Sequence, residues 1–226
     1  MKSALMTLLV VFFLNFGLSM TASAHVSWSV HNMVLRNAPN QQDDEVCIYC
    51  HTPHNAKTDV VLDYNPLWNG GVQDSTFVPY DSATLDAEIG DPLIGPTRLC
   101  IGCHDGTIAI DVALGGTTRM IQVPKNIGGV VGGGPWARPG DNLAIDHPVG
   151  FDYVDAAAAD SEIRPATTAY ANGTIADYLF TWGASENIMT CSTCHDVHAG
   201  GTAAVQVRLL YMVNDGSALC LVCHIK

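Results

Sequence analysis

Cys47-Ile48-Tyr49-Cys50-His51-Thr52-Pro53-His54 is the stretch on which the reading of this chain turns. Two cysteines stand three residues apart, a histidine follows the second at once, and another histidine comes three residues later. The core of the pattern recurs as Cys100-Ile101-Gly102-Cys103-His104, Cys191-Ser192-Thr193-Cys194-His195 and Cys220-Leu221-Val222-Cys223-His224. All 8 cysteines of the 226-residue chain fall in these motifs. Cysteines at i and i+3 share one face of a helical turn. Their thiols reach the two vinyl groups on one edge of a porphyrin, and the next residue swings its imidazole beneath the ring to iron. C-x-x-C-H is the attachment signature of c-type haem. The pattern therefore predicts four covalently attached haem c groups, held by Cys47, Cys50, Cys100, Cys103, Cys191, Cys194, Cys220 and Cys223. His51, His104, His195 and His224 are the first iron ligands. A disulfide framework does not require His after every second Cys, zinc ribbons rarely repeat the His four times, and a thioredoxin-like site needs a βαβ pattern that is not visible here.

The histidine count sets the coordination. Of 9 histidines, five lie outside the attachment positions: His25, His31, His54, His147 and His198. Four second axial ligands are needed, so the near match favours bis-His ligation. Methionine is the rival ligand, but Met33, Met120, Met189 and Met212 read equally as apolar packing. His54 and His198 each follow an attachment His by three residues. From there a ring cannot easily reach the far face of its own haem, but it can bind the iron of an adjacent one. The expectation is reciprocal exchange between motifs one and three; the bland alternative is a surface or propionate-binding His. His147, in Asp146-His147-Pro148-Val149-Gly150, sits in a loop that Pro and Gly can fix; a solvent-exposed loop His is the alternative. His31 belongs to an N-terminal arm that either folds back or reaches a neighbouring molecule. His25, at a mobile terminus, is the weakest candidate.

Residues 1–24 read as a signal peptide: Lys2, an apolar run from Ala4 to Met20, and the small-residue cleavage pattern Ala22-Ser23-Ala24; the alternative is an uncleaved membrane anchor, for which the run is a little short. Removal of the signal peptide leaves residues 25–226 as one tetrahaem domain with no membrane anchor, 9 Lys+Arg against 22 Asp+Glu, and a formal charge of −13. That balance disfavours nucleic acid and anionic lipid as partners. It suits a cationic partner or a cation-coated mineral, and equally plain solubility.

About fifty residues per haem are too few for a large side-chain core. The expected fold is mostly irregular coil with short helices at the haem-binding motifs and few short strands, organised around a chain of haems. Residues 25–46 form the arm and 55–99 a linker with a Pro66-Leu67-Trp68-Asn69 turn. Residues 105–190 read as a long insertion that holds a flexible Gly128–Gly134 stretch and an Ala-rich helix over Asp155–Glu162. Val205–Val213 is apolar enough for a strand or a short helix. Trp28, Trp68, Trp136 and Trp182 cover haem edges or fill the core.

Val46-Cys-Ile-Tyr-Cys-His-Thr-Pro-His-Asn55, Pro66-Leu-Trp-Asn69, Leu99-Cys-Ile-Gly-Cys-His-Asp-Gly106, His147-Pro-Val-Gly150, Leu219-Cys-Leu-Val-Cys-His224 and the His31-Asn32 pair resemble the paired C-x-x-C-H multihaem cytochromes of metal-reducing bacteria. Together they resemble OmcE-type extracellular tetrahaem cytochromes. The resemblance implies secretion through the periplasm to the cell surface or beyond. It also implies a homo-oligomeric filament with a continuous chain of haems, and electron export to other redox proteins or external acceptors. One axial His would be donated across the subunit interface, with His31 the candidate. The runner-up is a monomeric periplasmic or outer-surface electron shuttle. An enzyme, such as a multihaem reductase of nitrogen or sulfur oxyanions, would need an open iron or an altered motif, and all four motifs end in His.

Overall fold

The structure is a computed structural model. It describes residues 25–32, 46–54, 56, 64, 66–69, 76–104, 112–114, 117–119, 142–198 and 209–225. The expected leader over residues 1–24, the glycine-rich stretch 128–134, Trp136, Met33 and Met120 lie outside the described residues.

Regular elements are short. Two 3-10 turns, His25–Trp28 and Val46–Tyr49, come first and pack together. Helix α1 spans Pro96–His104, α2 Tyr153–Ala159, α3 Cys191–Cys194 and α4 Cys220–Cys223. Further 3-10 turns cover Ile175–Tyr178 and Asp215–Ser217. The strands make separate antiparallel ribbons: β1 (Val112–Leu114) with β2 (Thr117–Arg119), β3 (Ala169–Tyr170) with β4 (Gly173–Thr174), and β5 (Phe180–Trp182) with β6 (Ser185–Ile188). Most of the described chain is coil, with a helical turn at each attachment motif. Among the described residues no helix is long and apolar enough to cross a membrane.

Local chemistry explains these boundaries. Pro96 opens α1, where its missing N–H costs no helical bond. The Ala-rich helix forms at Tyr153–Ala159, two residues ahead of the expected start. Asp152 supplies the reason: its carboxylate accepts the N–H groups of Val154 (2.7 Å) and Asp155 (3.1 Å). At the other end Asp160 turns extended while its N–H still reaches the Ala156 carbonyl. The described part of the 205–213 stretch is neither strand nor helix. Leu209 sits in a turn with φ +53° and Leu210 makes a single bridge to His195.

The largest correction concerns the supposed insertion. Its second half carries the main core: Phe151, Tyr153, Ala156, Tyr170, Ile175 and Met189 are buried together. Met189 is thus a packing residue and stands 3% exposed. Two tyrosines of this core keep their hydroxyls satisfied by backbone: Tyr153 donates to the Arg164 carbonyl (2.8 Å) and Tyr170 to the Thr193 carbonyl (3.0 Å). A smaller cluster, Phe77, Leu93, Ile101 and Leu143, seats α1. Trp68 is buried, whereas Trp182 is 58% exposed.

Gly150 joins these parts. Its N–H donates to the Met189 carbonyl (2.8 Å), and Met189 N–H donates to the Phe151 carbonyl (2.9 Å). Its φ is +87°, and a Cβ there would run into the Asp91 carbonyl. Only glycine suits that conformation and that approach. Gly150→Ala is expected to destabilise the protein by more than about 1 kcal/mol, read as a lower denaturant midpoint at unchanged slope. Asp177 gives a pH-dependent contribution. Its carboxylate accepts the Thr174 N–H (2.7 Å) and hydroxyl (2.8 Å), and these bonds hold its pKa below the usual carboxylate value. A depressed folded pKa gives stability that is present above the unfolded pKa and lost as pH falls through the folded one. Asp177→Asn should therefore lower stability at neutral pH and flatten the acid limb of the stability profile, measured by denaturation at a series of pH values.

Candidate functional site

Each attachment motif begins as a helical turn, and in three of the four the histidine then leaves it in extended conformation. His195 has φ −108° and ψ 126°, and His224 φ −97° and ψ 140°. The extended histidine is gripped on both flanks by a second chain segment. In motif one, Thr52 N–H donates to the Leu67 carbonyl (2.9 Å) and Asn69 N–H to the Cys50 carbonyl (2.8 Å), so that His51 pairs with Trp68. In motif three, Asp196 N–H donates to Leu209 (2.7 Å) and Tyr211 N–H to Cys194 (3.2 Å) around the His195–Leu210 pair. In motif four, Ile225 N–H donates to Glu162 (2.7 Å) and Arg164 N–H to Cys223 (2.7 Å) around His224–Ile163. The backbone pattern is the same three times. His104 differs, because it is the last residue of α1 and the helix itself fixes its backbone.

The structure brings the histidines together in pairs, each made of one attachment His and one other. His31 and His104 have ring centroids 5.9 Å apart, His51 and His198 5.9 Å, and His147 and His224 6.3 Å. Two imidazoles that grip one metal ion from opposite sides, at about 2.0–2.1 Å per metal–nitrogen bond as in zinc sites, hold their centroids about 6 Å apart. The paired rings therefore fit an iron atom between them. The orientation of two rings is set by backbone. His51 Nδ1 lies 2.8 Å from the Pro66 carbonyl and His147 Nδ1 2.9 Å from the Pro148 carbonyl. A carbonyl accepts only, so each ring carries its proton on Nδ1 and leaves Nε2 free for metal. His147 keeps one side open to solvent, yet the surrounding chain desolvates its ring and lowers its pKa. That shift favours the neutral ring, the form that binds metal.

The remaining candidates are placed as follows. His54 and His195 are both exposed. His54 N–H donates to the Thr52 hydroxyl (3.3 Å), and His198 N–H donates to the Asp196 carboxylate (2.8 Å). The short side chain directly after each attachment His thus turns the chain that carries the second one. His31 stands beside His104 of its own chain, so the described part of the arm, 25–32, folds back toward α1. Of His25 only the backbone is described.

No disulfide joins any of the eight cysteines, and they bring the motifs close to one another. The thiols of Cys100 and Cys191 share a hydrogen bond that pushes Cys100 up, with burial adding to it, and holds Cys191 down. Burial pushes Cys50 up to about 11 and Cys194 up to about 12. Cys223 is raised by burial too. Cys194 also feels Cys223 and Cys220. Motif three thus meets motif one through His198 and motif two through Cys191, and Cys194 lies within electrostatic reach of motif four.

Sequence reasoning missed the partners of these motifs. Leu67 and Leu209 clasp motifs one and three, Glu162 and Arg164 clasp motif four, and Thr97 ties α1 to α3. A signal for the first two was present: a Leu followed by a large apolar residue, at Leu67-Trp68 and Leu209-Leu210, stands at nearly equal distance after each C-x-x-C-H-x-x-H. Thr97 is fully buried, and its hydroxyl accepts the Cys191 N–H at 3.2 Å. Thr97→Val keeps the shape but orphans that N–H. It should cost about 1–3 kcal/mol in denaturant unfolding.

Residues 185–226, which carry motifs three and four, match the family described as the doubled CXXCH motif. A search of curated proteins finds no match to the chain. The doubled motif, taken with the histidine pairs around it, supports a c-type multihaem cytochrome with covalently bound haem c, a kind of protein that carries electrons.

Proposed function

We propose that this chain is a secreted tetrahaem c-type cytochrome that carries electrons outside the cell, with imidazole on both faces of every iron. The carrying observation is the set of histidine pairs at 5.9–6.3 Å, each joining an attachment His to a distal one. His31, His198 and His147 then serve the haems of motifs two, one and four. His54 serves the haem of motif three, the reciprocal of His198. The eight motif cysteines anchor the groups. When bound, haem c supplies one-electron redox chemistry. The residues of this chain hold the rings on Nε2, exclude substrate from both axial positions and set the burial around each group. Closed axial positions favour a carrier over an enzyme acting at iron. Secretion rests on the leader over residues 1–24.

Two assemblies follow from this reading. One is a homo-oligomeric filament with haems running across each interface, as the resemblance implies, delivering electrons to external acceptors or other redox proteins. The other is a monomeric shuttle in the periplasm or at the cell surface. The His31–His104 pair favours a chain that supplies its own ligands, which a monomer requires and a filament permits. Intact-mass analysis should give four haem adducts, and magnetic resonance should give low-spin iron throughout. Electron microscopy of the purified native protein separates filament from monomer. His31→Ala distinguishes the two uses of that ring. An intrachain ligand predicts one open iron with the oligomeric state unchanged. A ligand donated between subunits predicts that the open iron and loss of assembly arrive together. Fewer than four adducts, or mostly high-spin iron in the parent, would overturn the reading.

A further inference from the structure

We infer that Leu67 is a positioning residue for the iron ligand His51, acting through its backbone conformation and not through its side chain. The inference rests on the proposed bis-His reading. In an extended segment successive carbonyls point to opposite sides. Here two adjacent carbonyls face the same motif: the Pro66 oxygen receives the His51 Nδ1 proton at 2.8 Å, and the Leu67 oxygen receives the Thr52 N–H at 2.9 Å. A left-handed residue between them makes this geometry, and Leu67 has φ +62°. That conformation is uncommon for any residue with a Cβ and worst for bulky or branched ones. The Leu67 side chain does not explain it, since it is 53% exposed.

The second copy of the device argues that this is no accident of one loop. Leu209 has φ +53°, and its carbonyl oxygen accepts the Asp196 N–H in the same place relative to motif three. The two motifs that carry a second His, C-x-x-C-H-x-x-H, are the two clasped by a left-handed leucine. The clasp of motif four uses Glu162, which is not left-handed. Residues 47–69 and 191–211 thus repeat one unit: attachment turn, extended His, side-chain turn to the second His, and a left-handed closing residue. Leu209 is 4% exposed and packs in the interior, so Leu67 is the cleaner position to test.

A hydrogen bond to the distal ring nitrogen of a metal-bound imidazole raises ligand basicity, and such bonds tune haem potential. Withdrawal of the Pro66 carbonyl from His51 should therefore raise the midpoint potential of one haem. The test is a series at Leu67 in the full haem-loaded protein, with potentiometric titration, low-spin magnetic resonance and haem count as readouts. Leu67→Gly and Leu67→Asn tolerate positive φ and should leave all potentials in place. Leu67→Val should shift one potential upward and alter one low-spin signal, with four haems retained. If Leu67→Val fails to load haem, Leu67→Thr decides, because it is equally β-branched but polar at this exposed position: an upward shift of one potential supports the inference, and unchanged potentials overturn it. Unchanged potentials in Leu67→Val, or a shift in Leu67→Gly as large as that in Leu67→Val, would overturn it too. A parent protein without bis-His low-spin haems would defeat the underlying reading instead, before any variant is made.

Discussion

In the proposed reading two imidazole rings stand on opposite sides of one iron atom, and the backbone bonds around the attachment histidines among the described residues suit that demand. A ring that is free to rotate loses entropy on binding metal, so a ligand pays less when its backbone and proton are fixed in advance. The described residues hold only short helices and two-stranded ribbons to do the fixing. The chain uses backbone hydrogen bonds instead. Each attachment His of motifs one, three and four lies between two inter-segment bonds, one on each flank. These also satisfy the carbonyl and N–H groups that the short helical turns leave unpaired. Protein–backbone carbonyls at Pro66 and Pro148 then select which nitrogen faces the metal.

Motif two reaches the same end by another route. α1 runs from Pro96 to His104, and its buried residues Thr97, Leu99, Ile101 and Gly102 seat it against the interior. A ring at the end of a packed helix has its Cα placed by that packing. α3 and α4 span four residues each and bring no comparable buried face. They lean on α1 and on the core. Cys191 N–H reaches Thr97, the Tyr170 hydroxyl reaches the Thr193 carbonyl, and the Arg164 side chain reaches the Leu221 carbonyl at 3.1 Å. The apparent insertion between motifs two and three is therefore the scaffold of motifs three and four. That is why its second half holds the buried tyrosines.

What the sequence made legible was local. Eight cysteines at a helical spacing and a histidine after each pair named the cofactor class, and a simple ligand count pointed to distal histidines. The short helices and coil-rich fold followed from too few residues per haem. Pro148 and Gly150 marked the His147 loop as fixed, and Gly150 is fixed by the close approach of Asp91. The illegible parts were contacts between distant segments. Whether His31 served its own chain depended on the arm folding back to α1, and nothing in the composition of 25–46 encodes that. The burial of Phe151, Tyr153, Ala156, Tyr170, Ile175 and Met189 was hidden because short ribbons lack the periodicity that betrays longer elements. The clasping role of Leu67 was hidden for a different reason: leucine carries no turn signal, and a left-handed leucine contradicts its own preference.

That contradiction is informative about how the molecule balances stability against ligation. A residue held at positive φ against its preference persists only where the surroundings over-determine it. At Leu67 the surroundings are the two hydrogen bonds to motif one and the buried Trp68 and Asn69 that follow. Glycine would relieve the strain in the folded chain but would enlarge the ensemble of the unfolded one. Leucine keeps the turn narrow before folding and leaves its closure to the motif. The clasp and the attachment turn are then mutually dependent: neither is regular structure by itself, and each supplies the hydrogen-bond partners that the other lacks. Motif three, which stands beside motif one through His198 and beside motif two through Cys191, extends that dependence beyond a single motif.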